Sequence, residues 1–187
     1  ALKEIGLIDA FMQNYLPNAD YLAITGPDGI PQFTHQPTAK YGDEGFRPEI
    51  SRGKLRDILL APLLKKGDII QWDSHCIGLL PHENGWSIQL KNKKTDTNST
   101  NVDVITHYAD IIIGADGINS IVRPLLTDIK PYYTGILMLE GDIEKESKDI
   151  SSLLHGGKAM VFGGGKNILM GHKGEAEVGY YLSFPTE

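Results

Sequence analysis

The sequence predicts a mixed α/β chain built in two parts, and three observations lead there. Two segments near the N-terminus repeat apolar residues at helical spacing. Most of the remainder is short β-branched runs separated by turn residues. One such run, Asp110 to Gly114, passes through Gly-Ala-Asp-Gly directly into a helical pattern. Helices and strands alternate as far as residue 130, whereas strands dominate beyond it, as in an antiparallel sheet. The boundary is therefore placed near Lys130-Pro131, giving parts 1–130 and 131–187.

The elements follow in order. Residues 2–16 place Leu2, Ile5, Ile8, Phe11, Met12, Tyr15 and Leu16 on one helical face, which Pro17-Asn18 ends. Tyr21–Thr25 and Gly29–Thr34 flank Gly26-Pro27-Asp28-Gly29, the signature of a hairpin turn. Ser51 is placed to cap a helix through Leu64, with Leu55, Ile58, Leu59 and Leu63 facing inward and Pro62 kinking the last turns. Strands are expected at 68–72, 76–80 and 85–91, the last two joined by Glu83-Asn84-Gly85. The polar run 92–101 reads as a loop tip, 102–107 and 110–114 as strands, and 118–126 as a short helix. A long strand at 132–143, a helix at 147–154 and strands at 159–162, 167–171 and 177–184 complete the chain.

Composition narrows the function classes. Net charge is −6 without a dense block of Lys and Arg, which argues against nucleic acid, because phosphate binding needs concentrated positive charge. The longest apolar runs, such as Ile111–Ile113, fall far short of a membrane span, and the N-terminus lacks a signal-peptide pattern. The single cysteine, Cys76, cannot close an intrachain disulfide and reads as a small hydrophobe, which fits a cytoplasmic setting. The chain starts inside an amphipathic pattern and stops after a strand-like run, as an excised piece would. Asn98-Ser99-Thr100 matches a glycosylation sequon, a pattern short enough to recur by chance. The six histidines are scattered and no metal site is expected; His155 and His172 are the two weighed as pocket residues. A Gly-x-Ser-x-Gly elbow is absent, which leaves a hydrolase triad without support. Gly163-Gly164-Gly165-Lys166 lacks the spacing of a phosphate-binding loop and reads as a hairpin turn.

The segment that carries chemistry is Asp110–Arg123. At the carboxyl end of a strand in an α/β layer, Asp116 occupies the position where ligands characteristically bind. Ala115 and Gly117 leave little side-chain bulk, so a cofactor can approach the backbone closely. A carboxylate there accepts charge-assisted hydrogen bonds from hydroxyl groups. Ser120 and Arg123, three residues apart, share a helix face, and Arg123 is placed to offset Asp116 or to meet a pyrophosphate. A plain turn explains Asp-Gly alone, but not the whole constellation.

GADGINSIVR resembles the Asp-Gly motif of flavoprotein monooxygenases of the para-hydroxybenzoate hydroxylase type. EISRGKLRDILL, residues 49–60, resembles the helix start whose arginine contacts FAD in those enzymes. The resemblance extends over essentially the whole chain and is nearest to the tetracycline-inactivating flavin monooxygenases. It implies FAD as cofactor, NAD(P)H as co-substrate and an aromatic or polyketide-like small molecule as substrate. It further implies part of an FAD/NAD(P)-binding lobe with a β-meander in 1–130 and part of a substrate-binding antiparallel sheet in 131–187. Cofactor contacts carry over to Arg52, Asp116, Gly117, Ser120 and Arg123, and pocket positions to Glu140 and Lys158. Arg56, one turn after Arg52, reads equally well as a surface partner of Asp57 or Asp68. Where the tetracycline enzymes carry a pocket Gln, Arg and His, this chain has Glu140, Lys158 and Gly179, which argues against tetracycline. The Gly-rich ADP-binding motif of the family is missing from these residues, so weak or no FAD binding and no turnover are expected of this chain alone. A halogenase or reductase on the same scaffold, or a non-catalytic binding module, are the alternatives.

Overall fold

The computed structural model describes residues 1–67, 69–92, 104–174 and 177–186. The chain divides into two compact units, one formed by Ala1–Lys65 with Tyr133–Glu187, the other by Lys66–Tyr132. The first residues belong with the last ones, because Leu22–Thr25 pairs in parallel with Lys158–Val161. Such a crossover pairing leaves no local trace in sequence.

The first unit opens with helix α1 (Ile8–Met12), far shorter than the pattern over 2–16 predicts. Gly6, at φ 72°, breaks the helix upstream, and Leu16 is drawn into a bridge with Glu49 downstream. The hairpin of β1 (Leu22–Thr25) and β2 (Pro31–His35) forms as expected, its turn closed by the Gly29 amide donating to the Gly26 carbonyl at 3.1 Å. Helix α2 (Arg52–Leu64) starts where Ser51 accepts the Lys54 amide, and it runs through Pro62. Its leucines face inward less completely than expected, since none of its residues is fully buried.

The second unit holds an antiparallel meander of β3 (Ser74–His82), β4 (Gly85–Asn92) and β5 (Val104–Ala109). Residues 69–72 form no strand, and 68 lies outside the described residues, as do the loop tip from 93 on and the sequon at 98–100. The expected strand at 110–114 is absent too: Ile111 and Ile113 are 81% and 88% exposed, and among the described residues nothing pairs with them. β-propensity alone does not make a strand when its ladder has no partner. The helix expected at 118–126 shrinks to a single 3-10 turn, Arg123–Leu125.

The remaining strands return to the first unit. They are β6 (Ile136–Ile143), then helix α3 (Lys148–Leu154), then β7 (Lys158–Gly163), β8 (Lys166–Gly174) and β9 (Glu177–Pro185). The Gly163–Lys166 stretch is the expected hairpin turn, with Gly164 and Gly165 both at positive φ. The six strands form one sheet in the order β2-β1-β7-β8-β9-β6. Its register separates two faces, since residues directly opposite one another point the same way. Ala23, Ala159, Met170 and Tyr180 fall on one face, where α3 packs Leu154, Leu153 and Ile150 over them into the core. Asp142, Gly179, Gly171 and Lys158 form a row across the other face, with Glu140, Tyr181, Leu169 and Met160 in the next row. That second face carries the cavity described below.

Candidate functional site

A cavity of about 720 Å³ lies within the first unit, between the α2 start and the sheet face opposite α3. Three of the residues singled out from sequence meet there: Arg52, Glu140 and Lys158. Arg52 arrives for a local reason, and the other two through the pairing of the sheet. Arg52 is the first residue of α2, fixed by the Ser51 cap. Glu140 and Lys158 stand on β6 and β7, two residue positions that the sheet register turns to the same face.

Polar connections across the cavity are made largely by residues that sequence reading did not select. The Tyr181 hydroxyl donates to Glu140 Oε1 at 3.0 Å and accepts from Arg52 Nη2 at 3.5 Å, linking the two predicted residues through one phenol. Lys158 pairs with Glu49, which the Leu16–Glu49 bridge (N–O 2.7 Å) delivers to the cavity edge. Lys173 pairs with Asp142, a bond that holds its ammonium above the ordinary lysine value, with Glu140 and Tyr181 adding smaller electrostatic support against burial. Period-two counting from Gly179 would have found Tyr181, and from Glu140 Asp142, whereas Glu49 enters only through tertiary pairing. His172 lines the cavity as weighed, with Nε2 at 3.5 Å from Glu146 Oε2, an ion-pair distance without hydrogen-bond geometry. His155 instead caps α3 in the left-handed conformation and packs its ring on Tyr21, a structural place. Arg56 pairs with Asp57, the bland partner considered for it.

In the second unit, Asp116, Gly117, Ser120 and Arg123 do come together, as one self-bonded loop. The Asp116 carboxylate accepts the Ile121 amide at 2.8 Å, and the Ser120 hydroxyl accepts the amides of Val122 and Arg123 at 3.2 and 3.0 Å. Arg123 donates through Nη1 to the Ile118 carbonyl (2.6 Å) and through Nη2 to the Gly117 carbonyl (2.9 Å). The Ser120 hydroxyl caps this turn, but Pro124 has no N–H to give the Ser120 carbonyl, so the turn goes no further than Arg123–Leu125. Arg123 thus clamps its own loop, its guanidinium bonding the Gly117 and Ile118 carbonyls and not Asp116. Gly117 sits at φ 74° with open space where a side chain would be, and Gly114 is required because a Cβ there would lie 2.9 Å from Val122. Residues 113 to 119 are exposed.

The Ser120 hydroxyl, first, and then the Ile121 amide hold the Asp116 carboxyl below the ordinary aspartate value of 3.8, although desolvation opposes them. A depressed folded value means the stabilisation is complete above the unfolded value and is lost as pH falls through the folded one. The Ile121 amide resonance is therefore expected to titrate with a midpoint below 3.8, and Asp116→Asn to abolish that titration. A midpoint at or above 3.8 contradicts this loop geometry.

Among the described residues, no group of three or more His, Cys, Asp or Glu could hold a metal ion. Among the same residues, no helix is long and apolar enough to cross a membrane. No family model matches the chain. It is similar to monooxygenase asqM of Emericella nidulans, at 28% identity over 134 residues that cover 67% of this chain and 29% of that one. Its fold is that of Klebsiella pneumoniae HpxO complexed with FAD and uric acid, with a TM-score of 0.73 at 16% identity. That match covers all of this chain and 44% of that structure. The tetracycline destructase Tet(51) matches with a TM-score of 0.58 at 16% identity, over 100% of this chain and 44% of that one. The chain therefore spans less than half the length of the proteins it resembles, and the mixed α/β fold expected from sequence is the fold of these FAD-dependent monooxygenases.

Proposed function

We propose that the chain is part of an FAD-dependent monooxygenase that takes electrons from NADH or NADPH and hydroxylates an aromatic or polyketide-like small molecule in the cytoplasm. The observation that carries this reading is the self-bonded loop at 114–123. It holds an ionised Asp116 beside a Gly117 that leaves open space above the backbone.

The residues present fit a flat, hydroxyl-rich cofactor. Asp116 accepts hydrogen bonds from hydroxyl groups, and Gly117 lets a ring or ribityl chain come to backbone distance. Ser120 and Arg123 keep both in place from behind. In the other unit, Arg52 adds a guanidinium to the positive end of α2, an arrangement suited to oxygen-rich or anionic groups. FAD, when bound, supplies electron uptake from the nicotinamide and the reaction with dioxygen. The protein's part is to orient the substrate and exclude water. Glu140, fixed by Tyr181, and Lys158, fixed by Glu49, present an acceptor and a donor to a substrate, while Leu169 provides apolar lining. The replacement of a neutral amide and a guanidinium by Glu140 and Lys158 favours a substrate other than tetracycline.

An NMR titration of the chain with FAD tests the reading, one unit at a time. Amide shifts are expected at Asp116–Ser120 and at Arg52, with weak affinity, since nothing in these residues resembles a Gly-rich phosphate cradle. The purified chain should be colourless. Stoichiometric flavin carried through purification would contradict the weak affinity, and the absence of any shift in the loop at millimolar FAD would contradict the cofactor assignment itself.

A further inference from the structure

The row Asp142–Gly179–Gly171–Lys158 crosses four adjacent strands on the cavity face, with two glycines side by side at its centre. Neither glycine leaves a hole. A Cβ on Gly171 would stand 3.0 Å from Lys158 Cγ, and one on Gly179 would overlap Lys173 Cε, so a lysine stem lies over each. Lys173 sits at the β8 bulge, where the register shifts between His172 and Gly174, and its stem crosses β9 over Gly179 to reach Asp142 on β6. Position 179 is thus not simply emptied of a side chain. The space is filled from the neighbouring strand, by a group of different chemistry.

We infer that Lys173 is a specificity-determining residue of this cavity, which, given passage by Gly179, presents a charged donor to a hydrogen-bond-accepting oxygen on a ring substrate. The inference rests on reading this cavity as the substrate cavity. An ammonium carries three donors, and Asp142 engages it from the side away from Gly171, leaving donors for a bound molecule. The stems of Lys158 and Lys173, with Leu169 and the Tyr181 ring, make a low apolar floor on which a flat ring can lie, their charged heads at its rim. The charged groups on this side are Lys173, Asp142, Glu140 and Glu177, with Lys158 and Glu49 at the far flank and Arg52, Lys54 and Asp57 on α2. Glu140 and Glu49 accept from Tyr181 and Lys158, so among the described residues the hydrogen bond that Lys173 makes is the one to Asp142. The raised proton affinity of Lys173 keeps it charged throughout the neutral range.

The test uses the full chain and three small probes followed by NMR: indole, which offers no acceptor oxygen, salicylamide, with a neutral carbonyl, and salicylate, with a charged one. All three are expected to shift the amides of Gly171, Gly179 and Tyr181. Lys173→Met keeps the stem and removes the donor; it should weaken salicylamide and salicylate about tenfold and leave indole unchanged. Gly179→Ala should do the same by displacing the lysine, whose flexible end is all that the new methyl group meets. Retained amide dispersion in both variants verifies that they fold. Tighter binding of salicylate than salicylamide assigns a charged oxygen, and equal binding a neutral carbonyl. Acceptor probes that bind Lys173→Met as tightly as the parent overturn the inference while the cavity reading stands. Failure of all three probes, indole included, to reach these amides overturns the cavity reading along with it.

Discussion

Replacing Leu154 by alanine is expected to destabilise the unit that carries the cavity by about 3 kcal/mol, within the range for a large-to-small change at a closed core site. Leu154 is fully buried at the end of α3 and packs against Tyr21, Ala23, Ala159 and Val178. The small residues beneath it, Ala23 and Ala159, cannot swing in to refill the space, so a cavity remains and the cost stays near the full transfer-plus-void value. Few side chains in the unit are as completely buried, and a core this small concentrates its stability in few contacts. Urea unfolding followed by far-UV circular dichroism measures it. A loss below about 1 kcal/mol would mean that α3 is not what holds the sheet together.

The second large effect is expected at Arg123. Substitution by methionine preserves the stem but removes both bonds from the guanidinium to the Gly117 and Ile118 carbonyls. Hydrogen bonds to a charged donor are worth roughly 1.5–3 kcal/mol, and an exposed loop sits at or below the lower end of that range. The loop has little else to resist opening, as Ile118 and the run before it are exposed. Amide exchange at Ile121, Val122 and Arg123 should therefore accelerate about tenfold, the rate change equivalent to about 1.4 kcal/mol. If Arg123→Met also abolishes FAD-induced shifts at Asp116 while exchange stays at the parent rate, the side chain touches the cofactor directly and the clamp assignment is wrong. Faster exchange with the shifts retained, at reduced affinity, supports a positioning residue.

How far the sequence could be read differs from element to element. The α2 cap, the β1–β2 hairpin and the Gly163–Lys166 turn were legible because their signals are local: a Ser side chain within reach of an amide, or glycines where φ must be positive. Helix 2–16 was over-read because apolar periodicity does not register that Gly6 leaves the helical conformation or that Leu16 bonds Glu49 instead. The run 110–114 misled in a complementary way: its isoleucines have the propensity for a strand, but strand formation depends on a partner and not on the segment.

For the site, sequence alone determined the Asp116–Arg123 loop as a unit, since all of its bonds span six residues or fewer and short-range chemistry is written in short-range order. It also marked Arg52, Glu140 and Lys158 as positions of interest. Only the tertiary structure decided what surrounds them. The link from Arg52 through Tyr181 to Glu140 spans 129 and 41 residues, and the pairing of Lys158 with Glu49 spans 109. Those partners are set by sheet register and by the parallel pairing of β1 with β7, which bring distant residues onto one face. Gly179 shows the difference most clearly. In sequence it is a missing side chain, whereas in the folded sheet it is the gap through which Lys173 crosses to Asp142, because a neighbouring strand, and not the residue itself, decides what fills the space above a glycine.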